Sequence, residues 1–346
     1  MKRLIDRFPT TAASGLPLLL AFGVAMIVIP LFSTGSSLFT WTTAAAWALF
    51  AVATNVMFGW TGLLSFGQAA FFGIGAYSMA LLHATFPDMD GIVMLIIAAL
   101  VSTGVAIIFA LGALRTSGAQ LAILTLVLAE VLWLLTYRVP ALKGEDGFSG
   151  LFSIKVFGSS ITSDAQLWYY TIAVAAVCTW LIWLLSGSTI GRAMRSVRDD
   201  PWRAAALGIR VRRTQVIAFA VAGGFSAVAG ALVAQGQGVV SPSMLTFALS
   251  GQVLVACLLG GMSRFGGPIL GAIVLVWAET LLSRHIEDSN LFVGILLLVI
   301  VLLLPQGLVS LPARVRRRRQ PTFAVSSPAP SRAGRDQPAK GKEATR

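Results

Sequence analysis

The chain has 346 residues, 56% of them hydrophobic and only 12% charged, a balance that excludes a soluble globular protein and points to a lipid bilayer. Lys and Arg number 26 against 14 Asp and Glu, a net charge of +12, which in a membrane protein reports loop orientation before it reports nucleic-acid binding. Cys178, Cys257, His83 and His285 lie inside or at the ends of apolar runs without metal-ligand or thiol-enzyme spacing.

A hydrocarbon core about 30 Å thick needs roughly 20 helical residues. Ten runs qualify: residues 15–32, 40–58, 63–83, 92–114, 119–137, 166–186, 214–235, 246–260, 266–283 and 291–308. The expected fold is therefore an all-α polytopic bundle of about ten spans. It comprises a cytoplasmic N-terminus over 1–14, a transmembrane domain over 15–308 and a basic tail over 309–346.

Basic residues near span ends stay on the cytoplasmic side. Ten crossings place Lys2, Arg3, Arg7, Arg115, the seven arginines between Arg192 and Arg213, Arg264 and the ten cations of the tail inside, leaving only Arg138, Lys143, Lys155 and Arg284 outside. Making the Gly-rich third run or the short eighth run re-entrant would export one of the large basic groups. Ten spans with both termini inside fit best. Met1-Lys2-Arg3 leads into an uncleaved first span, since no small-residue cleavage pattern follows it. The tail lacks apolar residues and reads as disordered, with Arg316 to Arg319 beside anionic lipid.

The third run places Ser65, Ala69 and Gly73 four apart, a smooth stripe for close helix approach. Gly230 in the seventh run and Gly267 and Gly271 in the ninth repeat that theme. Of the polar groups inside spans, Gln68, Glu130 and Gln252 are those expected nearest a translocation path, with Tyr77 a lesser candidate. Each has two readings, a translocation path or an interhelical hydrogen bond. Glu279 and Arg284, five residues apart, read as a local interfacial pair.

The cytoplasmic loop 187–213 carries more information. Asp200 reads as a helix N-cap, Pro201 as the first helical position, and Gly208 as the stop after an alanine-rich turn. So short a helix needs a docking surface, which charge retention alone does not explain. There is no G-x-x-x-x-G-K-[ST], G-x-S-x-G or H-E-x-x-H, so this chain carries no P-loop and no hydrolase signature.

Residues 62–77, the loop from Gly191-Arg192-Ala193 to Leu207-Gly208-Ile209, Ala229-Gly230-Ala231-Leu232, Val240-Ser241-Pro242, Leu259-Gly260-Gly261 with Gly267-Pro268 and Gly271-Ala272, and Pro305-Gln306-Gly307-Leu308 together resemble the permease subunits of bacterial branched-chain amino acid ABC importers, LivM type. The resemblance covers roughly 39–308.

It implies an inner-membrane permease that is not itself an enzyme. Its partners would be a second related permease, two P-loop ATPases that bind the ATP and Mg, and a periplasmic substrate-binding protein. The loop would couple to the ATPases through Gly191, Arg192, Arg195, Asp199, Asp200, Pro201, Trp202, Ala205, Leu207 and Gly208. The chain departs from the family pattern at Lys143-Gly144-Glu145-Asp146-Gly147, at Gln252 and at Ser263-Arg264, so branched-chain amino acids, urea, amides and other small solutes stay open. An ion-coupled carrier using Glu130 and a passive urea-like channel are the alternatives.

Overall fold

The structure is a computed structural model and describes residues 35–150, 154–156, 158–161, 163–262 and 265–283. The runs 15–32 and 291–308, the N-terminal segment, Arg264, Arg284 and the tail lie outside the described residues.

The remaining apolar runs are built as helices. In chain order these are α1 (Ser36–Thr61), α2 (Gln68–Thr85), α3 (Gly91–Ala113), α4 (Ala119–Arg138), α5 (Asp164–Gly187), α6 (Thr189–Asp199), α7 (Pro201–Ala206), α8 (Val211–Gln237), α9 (Phe247–Gly260) and α10 (Gly267–Ser283). Five of them, α1, α3, α4, α5 and α8, are long and apolar enough to cross a membrane. Helices α2, α9 and α10 have 18, 14 and 17 residues.

The third run is corrected. A continuous span over 63–83 is interrupted, because Gly62 ends α1 in the left-handed region (φ 70°) and α2 begins only at Gln68. The intervening segment is irregular yet meets its own polar needs: Phe66 N–H donates to Thr125 Oγ1 at 3.2 Å and Gly67 N–H to Ser65 Oγ at 3.1 Å. Irregular backbone survives at membrane depth only when it is buried in protein and bonded in this way. Ser65 therefore sits in the loop, and the expected stripe reduces to Ala69 and Gly73 on α2.

Helices α1 and α8 form the centre. The apolar window of α1 is 89% buried and that of α8 72%, against 28% for α4, which places α4 at the periphery. The exposed faces of α3, α4 and α5 carry Ile96, Leu100, Ile108, Ile123, Val127, Val177 and Trp180, as hydrocarbon contact demands. Helix α2 packs tightly on α8. A Cβ on Gly75 would overlap the Ala227 carbonyl, and one on Gly230 would overlap the Phe72 carbonyl.

At the end opposite α6 and α7 the connections are ordered. Strand β1 (Phe148–Ser149) pairs antiparallel with β4 (Val239–Val240), and β2 (Ile154–Val156) pairs with β3 (Ser159–Ile161). Gly150 N–H adds a bond to the Gly238 carbonyl at 3.0 Å. After β4 a 3-10 turn, Pro242–Leu245, descends along α2 with Leu245 against Gly73.

Candidate functional site

The loop 187–213 is more structured than its sequence suggested, since α6 precedes the short capped helix. Ser188 Oγ accepts from Gly191 N–H at 3.2 Å and starts α6. Gly191, Met194 and Val197, spaced at helical intervals, are buried. Gly191 lies against the Leu185 and Ser186 carbonyls, where a Cβ would collide with backbone, so α6 turns sharply off α5.

Helix α7 follows the expected punctuation. Asp200 Oδ1 accepts from Trp202 N–H at 3.0 Å and from Arg203 N–H at 3.1 Å, and Pro201 occupies the first turn. Gly208 adopts φ 83°. Its N–H donates to the Ala205 carbonyl at 2.9 Å while Ile209 N–H donates to the Ala204 carbonyl at 3.0 Å, the paired bonds of a Schellman ending. Six residues thus hold helical form because both ends are satisfied.

Only Ala204 of α7 is buried. Trp202 is 87% exposed and Leu207 81%, which sets two large apolar side chains and the exposed Ala205 on a projecting knob rimmed by Arg203. Large apolar side chains held in solvent on a braced helix have the chemistry of an interface anchor.

Three arginines of α6 face the other way. Arg192 Nη1 donates to the Gly187 carbonyl at 2.8 Å, Arg195 Nη2 donates to the Ser186 carbonyl at 2.9 Å, and Arg198 Nη1 donates to the Gly59 carbonyl of α1. Burial, and secondarily the neighbouring Arg192, hold the Arg195 guanidinium below its usual range, with Asp199 opposing the shift. Arg198 and Gly62 were not among the sequence candidates. The signal was present, because Arg192, Arg195 and Arg198 recur every third residue on one helix face.

The polar groups of the spans divide into two kinds. Gln68 is fully buried; its Nε2 donates to Met57 Sδ at 3.5 Å and its Oε1 accepts from Ser226 Oγ at 3.4 Å. It therefore bridges α1 and α8. Tyr77 is buried edge-on against Phe148, ring centroids 6.2 Å apart, under the β1–β4 pairing. Glu130 on α4 and Gln252 on α9 are half-buried, and neither makes a hydrogen bond or ion pair among the described residues. No hydrogen bond brings Glu130 together with Gln68, Tyr77 or Gln252.

Of the packing residues, Gly230 meets α2, Gly267 lies against the Gly261 carbonyl and Gly271 against the Ala256 carbonyl, and Ala69 N–H donates to Ser250 Oγ at 2.9 Å. Half-buried Glu279 lies on α10, with its expected partner Arg284 outside the described residues.

The family described as "Branched-chain amino acid transport system / permease component" matches residues 36–304. The chain is 32% identical over 279 residues to the high-affinity branched-chain amino acid transport system permease protein LivM of Escherichia coli K12, a match taking in 74% of this chain and 65% of that protein. It is 30% identical over 315 residues to LivM of Salmonella typhimurium, covering 84% and 74% of the two chains. Likeness to the LivH permease protein of E. coli K12 is 31% identity over 159 residues, 45% of this chain and 50% of that one. No solved structure matches. With its family match running over the whole described bundle and the capped loop, the chain belongs to the permease-component family of branched-chain amino acid transport systems.

Proposed function

We propose that this chain is a membrane-spanning permease subunit of an ATP-driven importer for branched-chain amino acids or a related small polar solute. It pairs with a second related permease, as the shared likeness to LivM and LivH supports. Two P-loop ATPases, which bind ATP and Mg, sit on the side of α6 and α7, and a periplasmic binding protein delivers solute to the opposite face. In this reading the full bundle has ten spans in the bacterial inner membrane, both termini are cytoplasmic, and the basic tail meets anionic lipid.

The observation that carries the proposal is α7, a six-residue helix capped at both ends whose Trp202 and Leu207 project into solvent. Bracing so short a helix and leaving its apolar side chains uncovered serves a protein groove. The low burial of α4, and Glu130 and Gln252 without a partner among the described residues, support a path completed by a second permease.

Purification of the chain from its native membrane in mild detergent tests the reading. Stoichiometric recovery of two P-loop ATPases and a second permease is expected; recovery of the chain alone under conditions that preserve known complexes would overturn it. Uptake that survives ATP depletion but collapses with an uncoupler would favour an ion-coupled carrier instead.

A further inference from the structure

The last carbonyls of a helix have no partner within it and carry the negative end of its dipole. Helices α1 and α5 both end beside α6, and α6 supplies cations to both. Arg195 reaches the Ser186 carbonyl of α5 at 2.9 Å, and Arg198 reaches the Gly59 carbonyl of α1. The aliphatic stem of Arg198 also lies over Gly62, the residue that ends α1, where a Cβ would stand 3.3 Å from its Cγ. Between these contacts, Met194 and Val197 are buried.

Helix α6 runs into α7 through Asp200, whose carboxylate caps α7 and also pairs with Arg203 at 2.9 Å. The chain from α7 to α8 leaves through the exposed Leu207 and Gly208. A push on α7 therefore enters the bundle through α6 and its arginines as well as along the hydrogen-bonded Gly208 and Ile209 that lead into α8.

We infer that Arg198, together with Arg195, is a positioning device that makes α6, α1 and α5 one rigid body, so that displacement of α7 is delivered to α1, the most buried of the five membrane-length helices among the described residues. This rests on the ATPase docking proposed above. Arginine suits the role because its planar fork stays charged and its long stem packs as it reaches. Charge-assisted bonds to helix-end carbonyls are stronger than neutral ones.

The test uses the whole purified complex in vesicles, with Cys178 and Cys257 replaced by alanine and nitroxides on cysteines introduced at Phe39 of α1 and Ser196 of α6. Double electron–electron resonance is recorded with and without a non-hydrolysable ATP analogue. One rigid body predicts a label separation that the nucleotide leaves unchanged with Arg198 in place, and a shifted or broadened separation in Arg198→Gln. Radiolabelled leucine uptake per ATP hydrolysed should fall about tenfold in Arg198→Gln and recover in part in Arg198→Lys, which keeps a long stem and a charged donor for the Gly59 carbonyl. A separation that moves by several ångströms with Arg198 present, or an Arg198→Gln variant indistinguishable from its parent, overturns the inference while the ATPases remain bound. Absence of ATPases from the preparation instead overturns the reading on which it rests.

Discussion

Gly75 and Gly230 form a reciprocal close approach: Gly75 of α2 admits the Ala227 carbonyl of α8, and one turn along, Gly230 of α8 admits the Phe72 carbonyl of α2. Lipid supplies no hydrophobic drive for helix pairing, so contact of this closeness depends on the missing side chains. Gly230→Leu is expected to wedge the pair apart and cost about 1–3 kcal/mol. Lower thermal stability of the purified protein in detergent checks it, and an unchanged melting temperature would remove the contact from the stabilising set.

Trp202→Ala should separate docking from folding. With 87% of the residue exposed, thermal stability of the isolated chain should stay within about 0.5 kcal/mol of the parent. Loss of an aromatic anchor at an interface costs about 2 kcal/mol, roughly thirtyfold in affinity. ATPase retention on the immobilised permease measures that loss, and full retention would move the contact elsewhere on α6 and α7.

Asp200→Ala removes the acceptor for Trp202 and Arg203 N–H, costing about 1 kcal/mol of local helix stability. Faster hydrogen exchange confined to α7 is expected, with uptake falling although Trp202 and Leu207 remain. Uniform exchange across the chain would contradict a local effect.

Asp88 and Lys155 tie the start of α3 to the β2–β3 hairpin at 2.5 Å. The hydrogen bond and charge of Lys155 hold the Asp88 carboxyl below its ordinary 3.8. A depressed carboxylate contributes above its unfolded value and loses that contribution as pH falls through the folded one. Protection of the hairpin, after correction for the intrinsic pH dependence of amide exchange, should therefore be unaffected from neutral pH down to about 4 and fall only below it. Asp88→Asn should abolish this pH step, which exchange mass spectrometry can follow.

Glu130→Gln should leave thermal stability unchanged, because the carboxylate has no partner among the described residues to lose, and should slow uptake. Gln68→Ala should do the reverse at first order. It breaks the bridge from Met57 to Ser226, destabilises by about 1–3 kcal/mol and leaves solute preference intact. Competition among leucine, isoleucine, valine and urea for uptake distinguishes the two.

Much of this was legible from local chemistry. Apolar runs between charged loops gave helix positions to within a few residues, and Asp200, Pro201 and Gly208 marked α7 through residue types with fixed local roles. The break at residues 62–67 was not legible from apolarity, since Leu63, Phe66 and the small residues around them suit either a helix or a packed loop. What decides it is Thr125, 59 residues away, which supplies the acceptor that a buried loop needs. Helix α6 was hidden for the opposite reason: its arginines looked like retained surface charge until the carbonyls of Ser186 and Gly59 appeared as their partners. Gln68 likewise declared itself only when Ser226 was in place.

The pairing of Phe148 with Val240 has a consequence for biosynthesis. Its two strands lie about ninety residues apart in the chain, with α5, α6, α7 and α8 between them, and contacts so remote in sequence cannot form until everything between has been delivered. The ladder can close only after α5 and α8 are both seated and their intervening loop stays on the opposite side. A chain that misses one crossing leaves the two strands on different faces of the membrane, with Gly150 unpaired and Tyr77 uncovered. Protection of this short ladder from proteolysis would therefore appear late in synthesis, and it would mark molecules whose helices had all been inserted in the correct order.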